Sequence, residues 1–189
     1  MNTESFVTEK ENFAGQRLPR REYTDRIFRH CNFAGADLTG CTFFECRFEH
    51  CDLSSVRWTD VTLRDVSFTD CKLLGASFGD CNPFLWSASF EECRMDFASL
   101  NGMKLRKQRF VRCRLQQADF SNADLEGAVF EACDLSGAIF ENCMLEKADF
   151  TTASGYDFDL HANRIRKARF SLLGIREQLE HRYGIVIEP

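Results

Sequence analysis

Three features are scarce in this chain, and each scarcity removes a class of protein. No run of apolar residues approaches the roughly 20 that a helix needs to cross a bilayer. The opening MNTESFVTEKENF also lacks the apolar stretch of a secretory signal, so a cytoplasmic protein with no membrane partner is expected. Excess positive charge is missing: 24 Lys and Arg face 29 Asp and Glu, a net charge of −5. Affinity for phosphate backbones comes chiefly from Lys and Arg, so no direct nucleic-acid binding is expected. Catalytic signatures are absent too, with no HExxH motif, no phosphate-cradling glycine loop and no nucleophile paired with a base. The chain reads as a non-enzymatic protein without a cofactor, and its 189 residues suit one buried domain.

What the chain has is a period of five. Steps of five from Phe28 reach Phe33, Leu38, Phe43, Phe48, Leu53, Trp58, Leu63, Phe68, Leu73 and Phe78, and a second run from Phe90 continues unbroken to Phe150. Between the runs the phase slips by two residues near Asn82, Pro83, Phe84, Leu85 and Trp86, which predicts a bulge or kink over 82–89. Two residues before each large centre stands a small one. All 10 cysteines occupy such places, interchanging with Ala and Val, with Gln108 as the polar exception. A site that accepts Cys, Ala and Val alike selects small apolar volume, which argues against disulfides or a metal. His30, His50 and Asp70 fall two after a centre and form an exposed column, while His161 and His181 stand alone, so no metal site is expected.

A period of five fits neither a helix nor a straight strand, so the backbone must turn once per repeat to keep every centre inside. Four turns close a square of twenty residues, and successive squares stack at strand spacing, giving about seven coils and roughly 30 to 35 Å of rod. Residues twenty apart then lie over one another, as Phe28, Phe48 and Phe68 do, and Leu105, Leu125 and Leu145. The expected fold is all-β, a parallel β-helix over residues 28–170. Residues 1–27, with Arg21 and Arg26 in place of small residues, read as an N-terminal cap and irregular first coil. Residues 171–189 read as a short α-helix carrying Leu172, Ile175, Leu179 and Tyr183, stopped by Gly184. A short strand, Ile185–Ile187, follows. This apolar tail is expected to cap the last coil or to join two copies in a homodimer.

Charge is blocked along the rod. Residues 116–159 hold ten acids against Lys147, a net of −9: Asp119, Asp124, Glu126, Glu131, Asp134, Glu141, Glu146, Asp149, Asp157 and Asp159. Over roughly 10 Å of rod this density is comparable to that of duplex DNA. Just before them stand Lys104, Arg106, Lys107, Arg109, Arg112 and Arg114 with no acid between, either a second contact patch or a solvated basic girdle. The acids equally suit a solubilised solenoid face.

Tandem repeats in the style of AxLxG or CxFxx resemble the pentapeptide-repeat superfamily over about residues 13–187. DCKLLGASFGDCNPF at 70–84, LEKADFTTASGYDFDLHANRIRKARFSL at 145–172 and the ending YGIVIEP resemble the group holding the Qnr quinolone-resistance and the albicidin and microcin immunity proteins. The resemblance implies a right-handed quadrilateral β-helix that mimics DNA, binds DNA gyrase or topoisomerase IV and protects it from an inhibitor. The mid-chain Pro83 break and the lack of long inserted loops place the chain nearer the immunity proteins. Asp119, Asp124, Glu126, Glu131, Asp134, Glu141 and Glu146 would then form the partner-binding surface. The competing reading is a protein-interaction scaffold whose partner is unrelated to gyrase.

Overall fold

The computed structural model describes residues 6–84 and 86–188, so Met1–Ser5, Leu85 in the break and the terminal Pro189 lie outside it. Twelve short strands and one helix follow in order: β1 Phe6–Glu9, β2 Glu22–Thr24, β3 Arg26–Arg29, β4 Thr42–Phe44, β5 Arg47–Glu49, β6 Thr62–Arg64, β7 Val66–Thr69, β8 Ala88–Glu91, β9 Arg109–Val111, β10 Val129–Glu131, β11 Asp149–Phe150, β12 Arg169–Phe170 and α1 Leu172–Tyr183. They form a parallel β-solenoid of about eight turns. One face is a nine-stranded sheet in the order β1-β3-β5-β7-β8-β9-β10-β11-β12, and a second is the three-stranded sheet β2-β4-β6. The twenty-residue register is direct: Phe28 pairs with Phe48, and Phe48 with Phe68. The other faces are joined by single bridges at the same spacing, such as Asn32 to Asp52 and Asp37 to Arg57.

Strands this short follow from the corners. The residue two after a centre takes a left-handed backbone, with φ of 53° at His30, 53° at Glu45 and 68° at Gly127. For a non-glycine residue that conformation costs roughly 1–2 kcal/mol. Each corner is held by the turn above: His30 N–H donates to Glu49 O at 2.9 Å, and Arg112 N–H to Glu131 O at 2.7 Å.

The core is a filled square. Phe28, Phe48, Phe68, Phe90, Phe110, Phe130, Phe150 and Phe170 stack face to face, neighbouring ring centroids lying 4.9 to 5.6 Å apart. The stack crosses the phase slip without interruption, because Phe68 pairs with Phe90 in the nine-stranded sheet. On the adjacent face the slip is absorbed outward. Asn82 N–H still donates to Val61 O and Ser87 N–H to Leu63 O, so the intervening chain is looped out. Pro83, which has no N–H to give a ladder, sits in that loop, and β6 is the last strand of its sheet.

The first turn is more regular than expected. β1 pairs in register with β3, Tyr23 with Phe43, and Phe13 stacks on Phe33 at 4.8 Å. Arg21 lies 4.9 Å over the Tyr23 ring and Arg26 5.1 Å over Phe6. An end rung faces solvent on one side, so long amphipathic side chains can cover its aromatic rings where an interior rung allows only small residues. This added turn raises the count from about seven to about eight.

At the other end Ser171 caps α1 by accepting from Gly174 N–H, and Gly184 closes it at φ 62°. The expected strand at Ile185–Ile187 does not form, since no strand lies alongside it; Ile187 N–H instead donates to Glu180 Oε1 at 3.0 Å. Leu172 and Tyr183 face outward, and the helix residue buried on the rod is Gln178.

Phe130, fully buried between Phe110 and Phe150, tests the stack. Phe130→Ala is expected to lower unfolding free energy by about 3–5 kcal/mol, measured by denaturant titration.

Candidate functional site

Among the described residues no group of three or more His, Cys, Asp and Glu is placed to hold a metal ion. All ten cysteines are free and buried. Six of them, Cys31, Cys51, Cys71, Cys93, Cys113 and Cys133, recur at one place in successive turns. Most of the inward thiols donate to the carbonyl of a Phe or Tyr one turn back: Cys51 Sγ to Phe28 O at 3.2 Å, Cys46 Sγ to Tyr23 O at 3.1 Å, Cys143 Sγ to Phe120 O at 3.0 Å. Burial pushes the Cys143 thiol up to about 11. These are packed thiols acting as weak donors, so Cys adds to Ala a hydrogen bond across turns. Gln108, the polar exception, plays the same part through Nε2 to Ala88 O at 2.9 Å.

The surface is where function can reside, and the twenty-residue register organises its charges. The six bases of the girdle are not uniform. Arg106 reaches one turn up to Asp124 at 2.6 Å and Glu126 at 3.2 Å, and Arg109 to Glu131 at 2.6 Å. Arg112 reaches one turn down to Glu92 at 2.9 Å and also pairs with Glu91, while Arg114 grips Asp96 with Nε at 2.6 Å and Nη2 alongside. Asp96 is buried, so this pair is anchored within the rod. Lys104 and Lys107 make no ion pair among the described residues. Glu126 is further held by Lys147 at 2.6 Å, which with Arg106 keeps its carboxyl below the ordinary range.

The ten acids of 116–159 therefore divide. Asp124, Glu126, Glu131, Asp149 and Asp157 are paired with Arg106, Lys147, Arg109, Arg169 and Arg182, and His181 also contacts Asp157. Several Asp residues also close their own corner. Asp119 Oδ1 accepts from Ser121 N–H at 2.8 Å, Asp134 Oδ1 from Ser136 N–H at 3.0 Å, and Asp149 Oδ1 from Thr151 N–H at 2.9 Å. Burial would raise these three carboxyls, yet the hydrogen bonds from Ser121, Ser136 and Thr151 outweigh it and hold them low. Asp119, Asp134, Glu141, Glu146 and Asp159 have no cationic partner among the described residues. Of these, Asp119, Glu141 and Asp159 flank Phe120, Phe140 and Phe158, whose rings neighbour one another on one face. Glu141 and Asp159 also line a cleft of about 890 Å³ between that face and α1, with Tyr156, Glu177 and Gln178.

α1 is strapped to the rod by polar contacts. Gln178 Nε2 donates to Phe158 O, and His181 Nδ1 and Arg182 Nε lie 2.8 and 3.1 Å from the Asp157 carboxylate. Ile175 and Leu179 are half-buried, while Leu172, Tyr183 and Ile185 are exposed and Ile187 half-buried. His161 stays apart, and His30 stacks on His50 at 4.7 Å with His50 Nδ1 2.8 Å from Asp70. The acid–base pairs of the turns from Glu91 to Arg169 were hidden in a linear reading because partners stand 18 to 22 residues apart. The same twenty-residue rule that stacks the phenylalanines would have found them.

Two outcomes follow. Arg114→Met leaves the buried Asp96 carboxylate unpaired and is expected to lower stability, read as an earlier midpoint in thermal or denaturant unfolding. Because the Asp119, Asp134 and Asp149 carboxyls are lowered in the folded chain, their contribution is full above the unfolded Asp value near 4 and is lost as pH falls through the folded values. Melting followed by circular dichroism should show stability dropping only below about pH 4 for this reason, and less steeply in Asp134→Asn.

The pentapeptide repeat region family matches residues 21–83 and 41–120, and the pentapeptide repeats family of eight copies matches residues 113–151. No curated protein sequence matches significantly. Among solved structures, a trypsin-treated point variant of QnrB1, a plasmid-mediated fluoroquinolone resistance protein, is 22% identical over 96% of this chain and 100% of its own, with a TM-score of 0.52. HetL, involved in heterocyst differentiation regulation in the cyanobacterium Nostoc sp. strain PCC 7120, is 17% identical over 90% and 89% of the two chains, with a TM-score of 0.47. With its twenty-residue squares and family matches spanning residues 21–151, the chain belongs to the pentapeptide-repeat family.

Proposed function

We propose that the protein is a non-enzymatic, cytoplasmic ligand of a type II topoisomerase, DNA gyrase or topoisomerase IV, which it shields from an inhibitor by presenting an acidic rod in place of DNA. The observation that carries this reading is the set of acids without counter-charges on the later turns. Asp119, Glu141 and Asp159 share one face, and Glu146 stands on the next. The chain shares its fold with QnrB1, a plasmid-mediated fluoroquinolone resistance protein. Compared with the full acidic stretch, this surface is narrower: Asp124, Glu126 and Glu131 are occupied within the chain and contribute little free potential.

A second reading, a scaffold for a partner unrelated to gyrase, is favoured by that same neutralisation, since half of the acids serve the rod itself. Gyrase supercoiling with titrated protein, with and without a gyrase poison, separates the two. The first reading predicts inhibition or rescue by the native chain, an effect weakened about tenfold in Asp119→Asn/Glu141→Gln/Glu146→Gln and made less sensitive to salt. Glu126→Gln/Glu131→Gln should change it much less. No effect on either topoisomerase would leave the scaffold reading.

A further inference from the structure

One corner of the square carries a charge series that reverses along the rod. Before the break it reads Asp25, Glu45 and Asp65; after it, Lys107, Gly127, Lys147 and Lys167. All seven have left-handed backbones with φ between 52° and 68°. Their shared position is fixed by the ladder, each corner N–H donating one turn up: Glu45 to Arg64 O, Lys107 to Glu126 O, Gly127 to Glu146 O. Among the described residues Asp25, Glu45, Asp65, Lys107 and Lys167 make no ion pair, while Lys147 is bonded to Glu126. Burial, then the hydrogen bond and charge of Asp25 and the charge of Asp65, hold the Glu45 carboxyl above its ordinary range. The acid column is thus crowded, and the charge of Arg64 relieves it only in part.

The break sits midway in this series. Asp65 is one turn before it and Lys107 one turn after; Asp25 is three before and Lys147 three after. Beside the corner, the looped-out segment offers Phe84, 72% exposed, and the half-buried Trp86, anchored edge-on to Phe78 at 5.6 Å. A groove of about 350 Å³ lies between Trp86 and the Lys104–Arg109 stretch. An exposed aromatic ring at the centre of a bipolar edge has the form of an isologous contact, in which the same patch meets itself about a two-fold axis.

We propose that this flank binds a second copy of the chain, side by side and antiparallel, with the two-fold axis through the break. That axis sets Asp65 against the partner's Lys107, a pair occurring twice, with Phe84 and the partner's Phe84 at the centre; Asp25 faces the partner's Lys147, which Glu126 holds within its own chain. Arg64 and the partner's Arg106 also approach, but each is already engaged within its own chain. Arg64 lies over Phe44 at 4.5 Å, and Arg106 is held by Asp124 and Glu126. A foreign acidic segment would satisfy Lys107 and leave the Asp25–Glu45–Asp65 column bare, and a basic one would do the reverse. A second copy satisfies both halves at once. The interface is separate from the apolar tail after α1 and independent of the topoisomerase reading.

Analytical ultracentrifugation of the full chain tests it. A species of twice 21.8 kDa is expected at low salt, dissociating as salt rises. Asp65→Lys and Lys107→Asp should each weaken it about tenfold, and the double reversal should restore it, which also shows that the variants fold. Zero-length carbodiimide coupling should link Asp65 to Lys107 between copies. Val186→Glu, on the exposed tail, should leave the dimer unchanged. A chain that stays monomeric at high micromolar concentration overturns the proposal and leaves the flank to a foreign partner. A dimer insensitive to both charge reversals but lost in Val186→Glu overturns it in favour of end-to-end pairing.

Discussion

Nearly every fifth residue of the rod must adopt a left-handed backbone, and most of the structure is organised by what that demands. Glycine meets it without strain at Gly35, Gly75 and Gly137, but His30, Glu45, Lys107 and Asn122 meet it at a cost. The cost recurs at every turn of the rod, so no isolated repeat could bear it. It is offset because the same corner N–H is fixed by the next turn, and because each turn buries its four centres against the turns above and below. Stability here is therefore a property of stacking between neighbours, as in other solenoids. The first described turns differ from the interior in that Arg21 and Arg26 lie over the Tyr23 and Phe6 rings.

The same vertical order governs the surface. Charges that look like blocks along the sequence are neighbours across turns, and Arg106, Arg109, Arg112 and Arg114 spend their charge on Asp124, Glu131, Glu92 and Asp96. Aspartates just before a centre also act on their own backbone, accepting from the N–H two residues on. What is left for a partner are the acids without a cationic partner on the later turns, Glu141 and Glu146 wholly and Asp119 and Asp159 with one oxygen given to their own corner, and the bipolar corner around the break.

The fold was legible because its signal is one-dimensional. A period of five with small residues two before each centre leaves few shapes, and the columns at twenty residues pair as the spacing implies, from Phe28 with Phe48 to Phe130 with Phe150. Less legible was anything set by an end or by pairing. Residues 1–27 read as irregular because Arg21 and Arg26 stand where small residues belong, although Arg21 lies over the Tyr23 ring and Arg26 over Phe6. Ile185–Ile187 has strand-forming residues, but a strand needs a partner, and none lies beside it. α1 has an apolar stripe at helical spacing, yet Gln178 is the residue it buries, because the roof of the last turn offers Phe158 O and Asp157 rather than an apolar groove.

The break shows how such a rod keeps count. Two extra residues enter between Phe78 and Phe90, yet the Phe stack on the neighbouring face continues from Phe68 to Phe90 as though nothing had been added. Length along this molecule is thus measured in completed squares, and surplus residues are expelled sideways at a corner instead of being passed along the axis. Below and above the break the rod behaves as two rulers sharing one edge. Whole squares could be gained or lost on either side, lengthening or shortening one arm, while the spacing of every surviving feature on the other arm stayed the same.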